Sequence, residues 1–245
     1  KRLKEQAIRA EIQKKLANVS PVESVHLGDC RKVMGKMEQE FDLIVTDPPY
    51  GVDLLSSGKE FKQYGRDDSF EDREYETDEM LEGAFGEMYK LLKDGRHAYV
   101  FFEITRMDAF HKLLTKAGFD VDPIPIIWSK GASNSAANSD GWSRSYEAIF
   151  HCRKGRRELN RCPLDVAAFK PVPSRLKIHP VEKPVGVMKL LIEVSTLPGE
   201  AVFDPFAGSG VVGEAALKLK RNVVLIEKDK DSYNGVCERI RKIQE

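Results

Sequence analysis

The chain contains no run of eighteen or more apolar residues, so no transmembrane helix is expected. It has no signal peptide, and residue 1 is Lys rather than Met, which reads as a trimmed or excised piece whose upstream region is missing. Cysteine is scarce: four stand at 30, 152, 162 and 237, and no pair has CxxC spacing. Neither a zinc site nor a disulfide framework is supported, and a reducing, cytoplasmic setting is expected. The five histidines form no metal pattern, so no metal is expected. There are no internal repeats. Net charge is absent as well, with 39 Lys and Arg against 39 Asp and Glu.

What is present starts with length. The 245 residues suffice for one α/β domain with its own core, or two small ones, and we read a single domain over 1–245. The balanced charge is segregated. Residues 67–82 carry nine acids against Arg73, a local net of −8. Residues 151–178 carry eight bases against Glu158 and Asp165, a net of +6. A neutral total therefore leaves room for a polyanionic partner.

Residues 3–17 have helical spacing and strong helix formers, which predicts an N-terminal arm within 1–20. "SVHLGDC" reads as a strand ending at Gly28-Asp29-Cys30, with a helix around Val33 to Met37. "FDLIVTDPPY" is the second strand, and residues 51–72 read as a mobile loop. A helix is predicted over 77–92 with Thr77 as N-cap, then a strand over 97–103 and a helix over 107–118 closed by Gly118. Residues 121–130 read as one strand, 131–143 as a loop, and 146–152 as an alternating strand. Helices follow at 184–196, 211–220 and 232–244, with strands entering at 201 and 222. Strands alternating with helices predict an α/β fold: a doubly wound, mostly parallel sheet covered on both faces.

Two stretches carry chemistry. The apolar strand from Phe41 runs straight into Asp47-Pro48-Pro49-Tyr50. Two prolines carry no N–H and fix φ, so they stop the strand and leave carbonyls without neighbouring donors. Gly or Asn would make a plain turn there. The second stretch, "FDPFAGSG", lies between a strand and a helix, and strand "VVLIE" ends in Glu227 seventeen residues after Gly210. Glycines let backbone approach a ligand at a helix N-terminus, and an acid at the end of the next strand can accept from ribose hydroxyls. The blander reading is a tight strand–helix turn plus a solvent-facing Glu. Position 207 is Ala, and no Lys-Ser/Thr follows, so neither a dinucleotide fingerprint nor a Walker loop is complete. That favours a nucleoside with little phosphate.

The ordered set of DPPY, "IIWSK", Tyr146-Glu147, "HPVEKP" (179–184), "FDPFAGSG" and Glu227 resembles the S-adenosylmethionine-dependent DNA amino-methyltransferases, in the motif order of the permuted β class. The resemblance spans roughly Val25 to Ile240. It implies a Rossmann-like sheet with an antiparallel strand hairpin, and an enzyme that methylates adenine N6 in double-stranded DNA after base flipping. It further implies a bacterial or phage-encoded protein, with a homodimer as an assembly common in the class.

Residue by residue, the resemblance makes Asp47 and the Pro48 carbonyl the acceptors for the two amino N–H groups. Pro49 keeps that carbonyl rigid, and Tyr50 stacks on the flipped base. Phe206, Gly208, Ser209 and Gly210 would wrap the methionine part of the cofactor, Asp204 would accept from its ammonium, and Glu227 would hold the ribose. Asp29 and Cys30 would contact its adenine, with Cys30 equally readable as a small buried apolar residue. Lys183 would reach the methionine carboxylate, or stand solvated beside a proline turn. Val211-Val212 replace the Thr-Thr often found after the loop. The basic segment 153–178 is the short target-recognition segment, with Arg153, Lys154, Arg156, Arg157 and Arg161 on DNA phosphates, or else a solvated charged loop. The acidic 67–82 stretch is expected to face solvent, off the DNA.

Other substrates fit parts of the pattern. Cytosine N4, RNA or a protein glutamine are alternatives within the chemistry, although glutamine methylases usually carry Asn-Pro-Pro-Tyr and cytosine enzymes frequently Ser where Asp47 stands. A non-enzymatic nucleic-acid-binding module would have no use for both intact sites.

Overall fold

The structure, a computed structural model, describes residues 23–50, 74–131, 142, 145–173 and 182–244. The expected arm at 1–20 and the loop at 51–72 lie outside the described residues, as does most of the loop at 131–143.

Among the described residues, nine strands form one sheet. In chain order they are β1 (Glu23–Leu27), β2 (Phe41–Thr46), β3 (Leu92–Phe102), β4 (Asp120–Val121), β5 (Ile126–Ser129), β6 (Tyr146–Lys154), β7 (Val166–Ala168), β8 (Ala201–Asp204) and β9 (Asn222–Glu227). The helices are α1 (Cys30–Met34), α2 (Glu74–Leu91), α3 (Met107–Ala117), α4 (Val185–Ser195), α5 (Val211–Lys218) and α6 (Lys230–Gln244). The sheet order is β1-β9-β8-β2-β3-β6-β5-β7, with β4 also on β6. From β1 to β3 every pairing is parallel. β6 then runs antiparallel to β3 and to β5, while β7 is parallel to β5. This is the mostly parallel sheet with an antiparallel hairpin that the sequence predicts.

The central strand shows why the sheet is covered twice. All six residues of β2 are buried. Such a continuously buried run belongs to a strand packed on both faces. Phe41 and Ile44 enter one core with Leu81, Phe85 and Phe110 of α2 and α3. Leu43 and Val45 enter the other with Leu191, Ile192 and Ala215 of α4 and α5. A register irregularity between Phe41 and Leu43 lets Phe41 and Ile44 share a face despite their odd spacing.

Several boundaries differ from the sequence reading. α1 begins at Cys30, because the Asp29 carboxylate caps it by accepting from the Arg31 N–H at 3.0 Å. Thr77 is not an N-cap: α2 starts at Glu74, and Thr77 is buried inside the helix. β3 starts five residues earlier than 97, at Leu92, directly after α2. The expected strand 121–130 is two, β4 and β5, because Pro123 and Pro125 supply no ladder N–H. The helix expected from 232 starts at Lys230.

The amino end of the sheet, where β2, β3 and β8 begin, is closed by ions. Asp42 meets Arg96 at 2.6 Å and Lys93 at 3.0 Å, and accepts from the Ala201 N–H at 2.9 Å. Glu200 meets Arg96 at 2.8 Å and Arg157 at 3.5 Å. Asp42 is buried, and its charge is tolerated there because it is paired. Of the described acids of the 67–82 stretch, Asp78 pairs with Arg106, and the exposed Glu82 with Lys116.

Candidate active site

The chain leaves β8 for β9 in one direction and β2 for β3 in the other. The switch point between β8 and β2 therefore opens a crevice at the carboxyl ends of two neighbouring strands, where α/β sheets bind ligands. Thr46, the last residue of β2, donates to Asp204 Oδ1 of β8 across that point at 2.7 Å. The next residue is Asp47.

Asp47 has two partners. Lys183 Nζ stands 2.5 Å from Oδ2, and the Tyr50 hydroxyl donates to Oδ1. The Tyr50 ring meets Phe110 edge-on, with centroids 6.2 Å apart. Burial, then the Asp47 charge, push the Tyr50 phenol well above its usual range, so it stays a donor. Lys183 is buried and also lies 3.0 Å from Glu147 Oε2, while Lys130 Nζ meets Glu147 Oε1 at 2.8 Å. Burial works against the Lys183 charge, but Asp47 and Glu147 outweigh it and hold its pKa above the ordinary lysine value. Glu147 is held low despite burial, because Lys183 and Lys130 flank it. The antiparallel strand makes this row: β6 delivers Glu147 beside Trp128 of β5, one residue past the Phe102–Ala148 pair.

On the other side of the crevice is the glycine loop. A cleft of about 80 Å³ is lined by Asp47, Lys183, Asp204, Phe206, Gly208 and Ser209, among others. Asp204 is buried and also accepts from the Phe206 N–H at 3.0 Å. Burial pushes its carboxyl up to about 7, against those hydrogen bonds. Glu227 does not simply face solvent: its Oε2 accepts from the Gly208 N–H and its Oε1 from the Asp229 N–H, each at 2.8 Å. Burial raises its pKa, and the backbone donors oppose the rise. Val211 and Val212 are buried and line the cleft floor, where hydroxyls were expected.

The structure thus brings together Asp47, Pro48, Tyr50, Lys183, Asp204, Phe206, Gly208 and Ser209. Asp29 stands one strand further out, beyond the Leu27–Glu227 pair, and Arg31 holds its carboxyl down at about 2. Cys30 is buried in the apolar core with Met34 and Ile226, and burial raises its thiol to about 12.

The five basic residues do not join this end. Lys154 pairs with Arg96 at the start of β3, and Arg153 with His97, so both lie at the amino end of the sheet. Arg153 is bound to Asp120, Lys154 to the Leu92 carbonyl, and Arg157 to Glu200, while Arg161 lies 3.9 Å from Glu193. Arg156 is exposed and lies between them in the chain. The segment also contains a strand, β7, that its composition did not announce. Residues that sequence reasoning gave no role are Thr46, Lys130, Glu147 and Arg239. Only the strand register puts Glu147 in reach of both Lys130 and Lys183.

Among the described residues, no group of three or more His, Cys, Asp or Glu could hold a metal ion, and no helix is long and apolar enough to cross a membrane.

A switch-point cleft with a glycine loop on one strand and an acid-diproline turn on the next defines a nucleoside-binding α/β enzyme site. The family model described as DNA methylase matches residues 41–238. The chain belongs to this DNA methylase family and is a methyltransferase. It is 34% identical over 219 residues to the protein YubD of Escherichia coli (strain K12), covering 89% of each chain. Among solved structures it is similar to the M1.HpyAVI–SAM complex, with a TM-score of 0.66, 21% identity and coverage of 89% of this chain and 100% of that one. It is similar also to the cytosine-N4-specific PvuII DNA methyltransferase, with a TM-score of 0.71, 15% identity and coverage of 92% and 91%.

Proposed function

We propose that the protein transfers a methyl group from S-adenosylmethionine to the N6 amino group of adenine in double-stranded DNA. The observation that carries this reading is the Asp47 carboxylate, fixed at the cleft by Lys183 and followed by a buried proline. The pocket suits the cofactor. Phe206, Gly208 and Ser209 offer a ring and close-lying backbone to the methionine part, buried Asp204 an acceptor for its ammonium, and Glu227 an acceptor at the ribose end. When bound, the cofactor supplies an electrophilic methyl carbon on a sulfonium.

The chain's own residues do the rest. The amino nitrogen of adenine is a poor nucleophile because its lone pair is delocalised into the ring. Asp47 and the Pro48 carbonyl accept its two N–H groups and favour a tetrahedral nitrogen, with acceptors in place before reaction. The incoming amino group replaces the Tyr50 hydroxyl on Oδ1, which frees the Tyr50 ring to stack on the flipped base. Lys183 fixes Oδ2 throughout. The bound cofactor would supply the methyl group to that nitrogen and leave with the sulfur's electron pair, and Asp47 would receive the proton that the nitrogen sheds. The cleft contributes mainly alignment.

A second reading, transfer to cytosine N4, is favoured by the likeness to PvuII methyltransferase. Asp47 in place of Ser favours adenine. Incubation with labelled S-adenosylmethionine and mixed genomic DNA, followed by nucleoside mass spectrometry, separates the two. N6-methyladenine supports the first reading and N4-methylcytosine the second. Unlabelled DNA in the presence of measurable cofactor binding would overturn both.

A further inference from the structure

α6 is pressed against the back of the glycine loop. Gly210 has φ +75°, and a Cβ there would stand 3.1 Å from Val236 Cγ1. A Cβ on Gly213 would come within 2.7 Å of both Ile240 Cδ1 and Leu225 Cδ1. Val236 and Ile240 lie four residues apart, so they share a helix face, and Arg239 lies on the same face. Arg239 is 8% exposed. Its Nη1 meets Glu182 Oε1 at 2.8 Å and donates to the Ser209 carbonyl at 3.1 Å, while its Nε meets Glu214 Oε2 at 2.6 Å. Glu182 is itself 7% exposed and directly precedes Lys183. Glu214 stands in the first turn of α5 and also binds Lys218 at 2.6 Å.

One buried guanidinium thus joins three segments: the turn that carries Lys183, the loop that carries Gly208, and the helix that follows the loop. A buried ion network is a weak source of stability, since apolar side chains can replace one without loss. A planar fork does what an apolar side chain cannot, because it fixes the direction of several acceptors at once. The two sides of the cleft, Lys183 with Asp47 and the glycine loop with Asp204, are otherwise carried by separate segments of chain.

We propose that Arg239 is a positioning residue that holds the glycine loop and the Glu182-Lys183 turn in register, so that the cofactor pocket is preformed. The proposal rests on the methyltransferase reading above. Its test compares Arg239→Met and Arg239→Lys with Arg221→Met, in calorimetric binding of S-adenosylmethionine and in cofactor-free thermal melts. Arg221 is equally buried, but it binds Thr196 and the Leu219 carbonyl at the far end of the sheet. Arg239→Met is expected to raise the cofactor Kd by about tenfold, and Arg239→Lys by about threefold, since an ammonium keeps charge but not the fork. Arg221→Met is expected to lower the melting midpoint and leave Kd unchanged. In kinetics, Arg239→Met should raise the cofactor KM more than it lowers kcat. The proposal is overturned if Arg239→Met binds cofactor like wild type, or if Arg221→Met weakens binding as much. Should Arg239→Met fail to fold, wild-type affinity in Arg239→Lys overturns it. A wild-type protein that binds no S-adenosylmethionine would instead sink the parent reading.

Discussion

Lys183 Nζ and Asp47 Oδ2 stand 2.5 Å apart, and Glu147 holds the same ammonium from the other side at 3.0 Å. The acid of the DPPY turn is therefore not a free carboxylate waiting for a base. It belongs to a charged row built by three separate strand ends and turns.

Asp47→Ala should abolish methyl transfer while the cofactor Kd stays within a few-fold, because Asp47 is bound by Lys183 and Tyr50 and not by the glycine loop. Lys183→Met should reduce kcat by about a hundredfold, the scale of one preorganised electrostatic contact. Steady-state kinetics and calorimetry on the same preparations check both. Equal loss of binding and turnover in Asp47→Ala would make the residue structural.

Glu147→Gln removes one of the two carboxylate charges that hold Lys183. kcat should fall by about tenfold with little change in the cofactor KM, on the scale of a lost charge-assisted hydrogen bond. A rise in KM with unchanged kcat would show that Lys183 serves the cofactor instead.

Cofactor affinity should tighten as pH rises through about 7, the pKa to which burial pushes Asp204. The charged carboxylate is the form that accepts from an ammonium. Asp204→Asn should bind more weakly and show a flat profile from pH 6 to 8. Calorimetry across that range decides, and an unchanged slope in the variant would assign the titration elsewhere.

Two buried groups should act oppositely on stability. His97 is fully buried, its Nδ1 lies 3.0 Å from His151 Nε2, and burial lowers its pKa from 6.5 to about 4. The unfolded chain binds that proton more readily, so this contribution is complete above 6.5 and is lost as pH falls towards 4. Asp204 is raised from 3.8 to about 7. The folded chain keeps that proton, so its contribution is complete below 3.8 and is lost as pH rises through 7. Between about pH 4 and 6.5 each contributes a slope of about 1.4 kcal/mol per pH unit, with opposite signs. Relative to wild type, Asp204→Asn should therefore gain stability as pH rises across that window, and His97→Gln should lose it. Urea melts at three pH values check this, and parallel profiles would refute it.

Arg153→Ala and Arg157→Ala should leave the DNA KM within about twofold, because both lie at the amino end of the sheet and are paired with Asp120 and Glu200. Exposed and partly exposed pairs of this kind contribute about 1 kcal/mol or less to stability. A strong loss of DNA affinity, with a flattened salt dependence, would show that DNA wraps to that end.

Much of the fold was legible because its signals are local. β2 carries an apolar run at Leu43–Val45, Gly118 stops α3, and the loop at 204–210 sits between a strand and a helix. The DPPY turn and the glycine loop were found for the same reason. What sequence could not give depends on register. Glu147 meets Lys183 only because β6 runs antiparallel and pairs Ala148 with Phe102. Composition shows the charge of the basic segment but not which end of the sheet receives it. Arg239 was invisible because its partners, Glu182, Ser209 and Glu214, are scattered along the chain.

The sheet order also has a consequence during synthesis. Thr46 finds Asp204 only after 158 further residues have been made. At about 5–20 residues per second this takes roughly 8–30 s. During that interval β2 can pair with β3, but its other edge has no β8 to cover its backbone N–H and C=O groups. Such an edge is a template for pairing with another chain. The switch point that makes the cleft is thus also a late seam of the sheet, and a place where a nascent chain is exposed to misassembly.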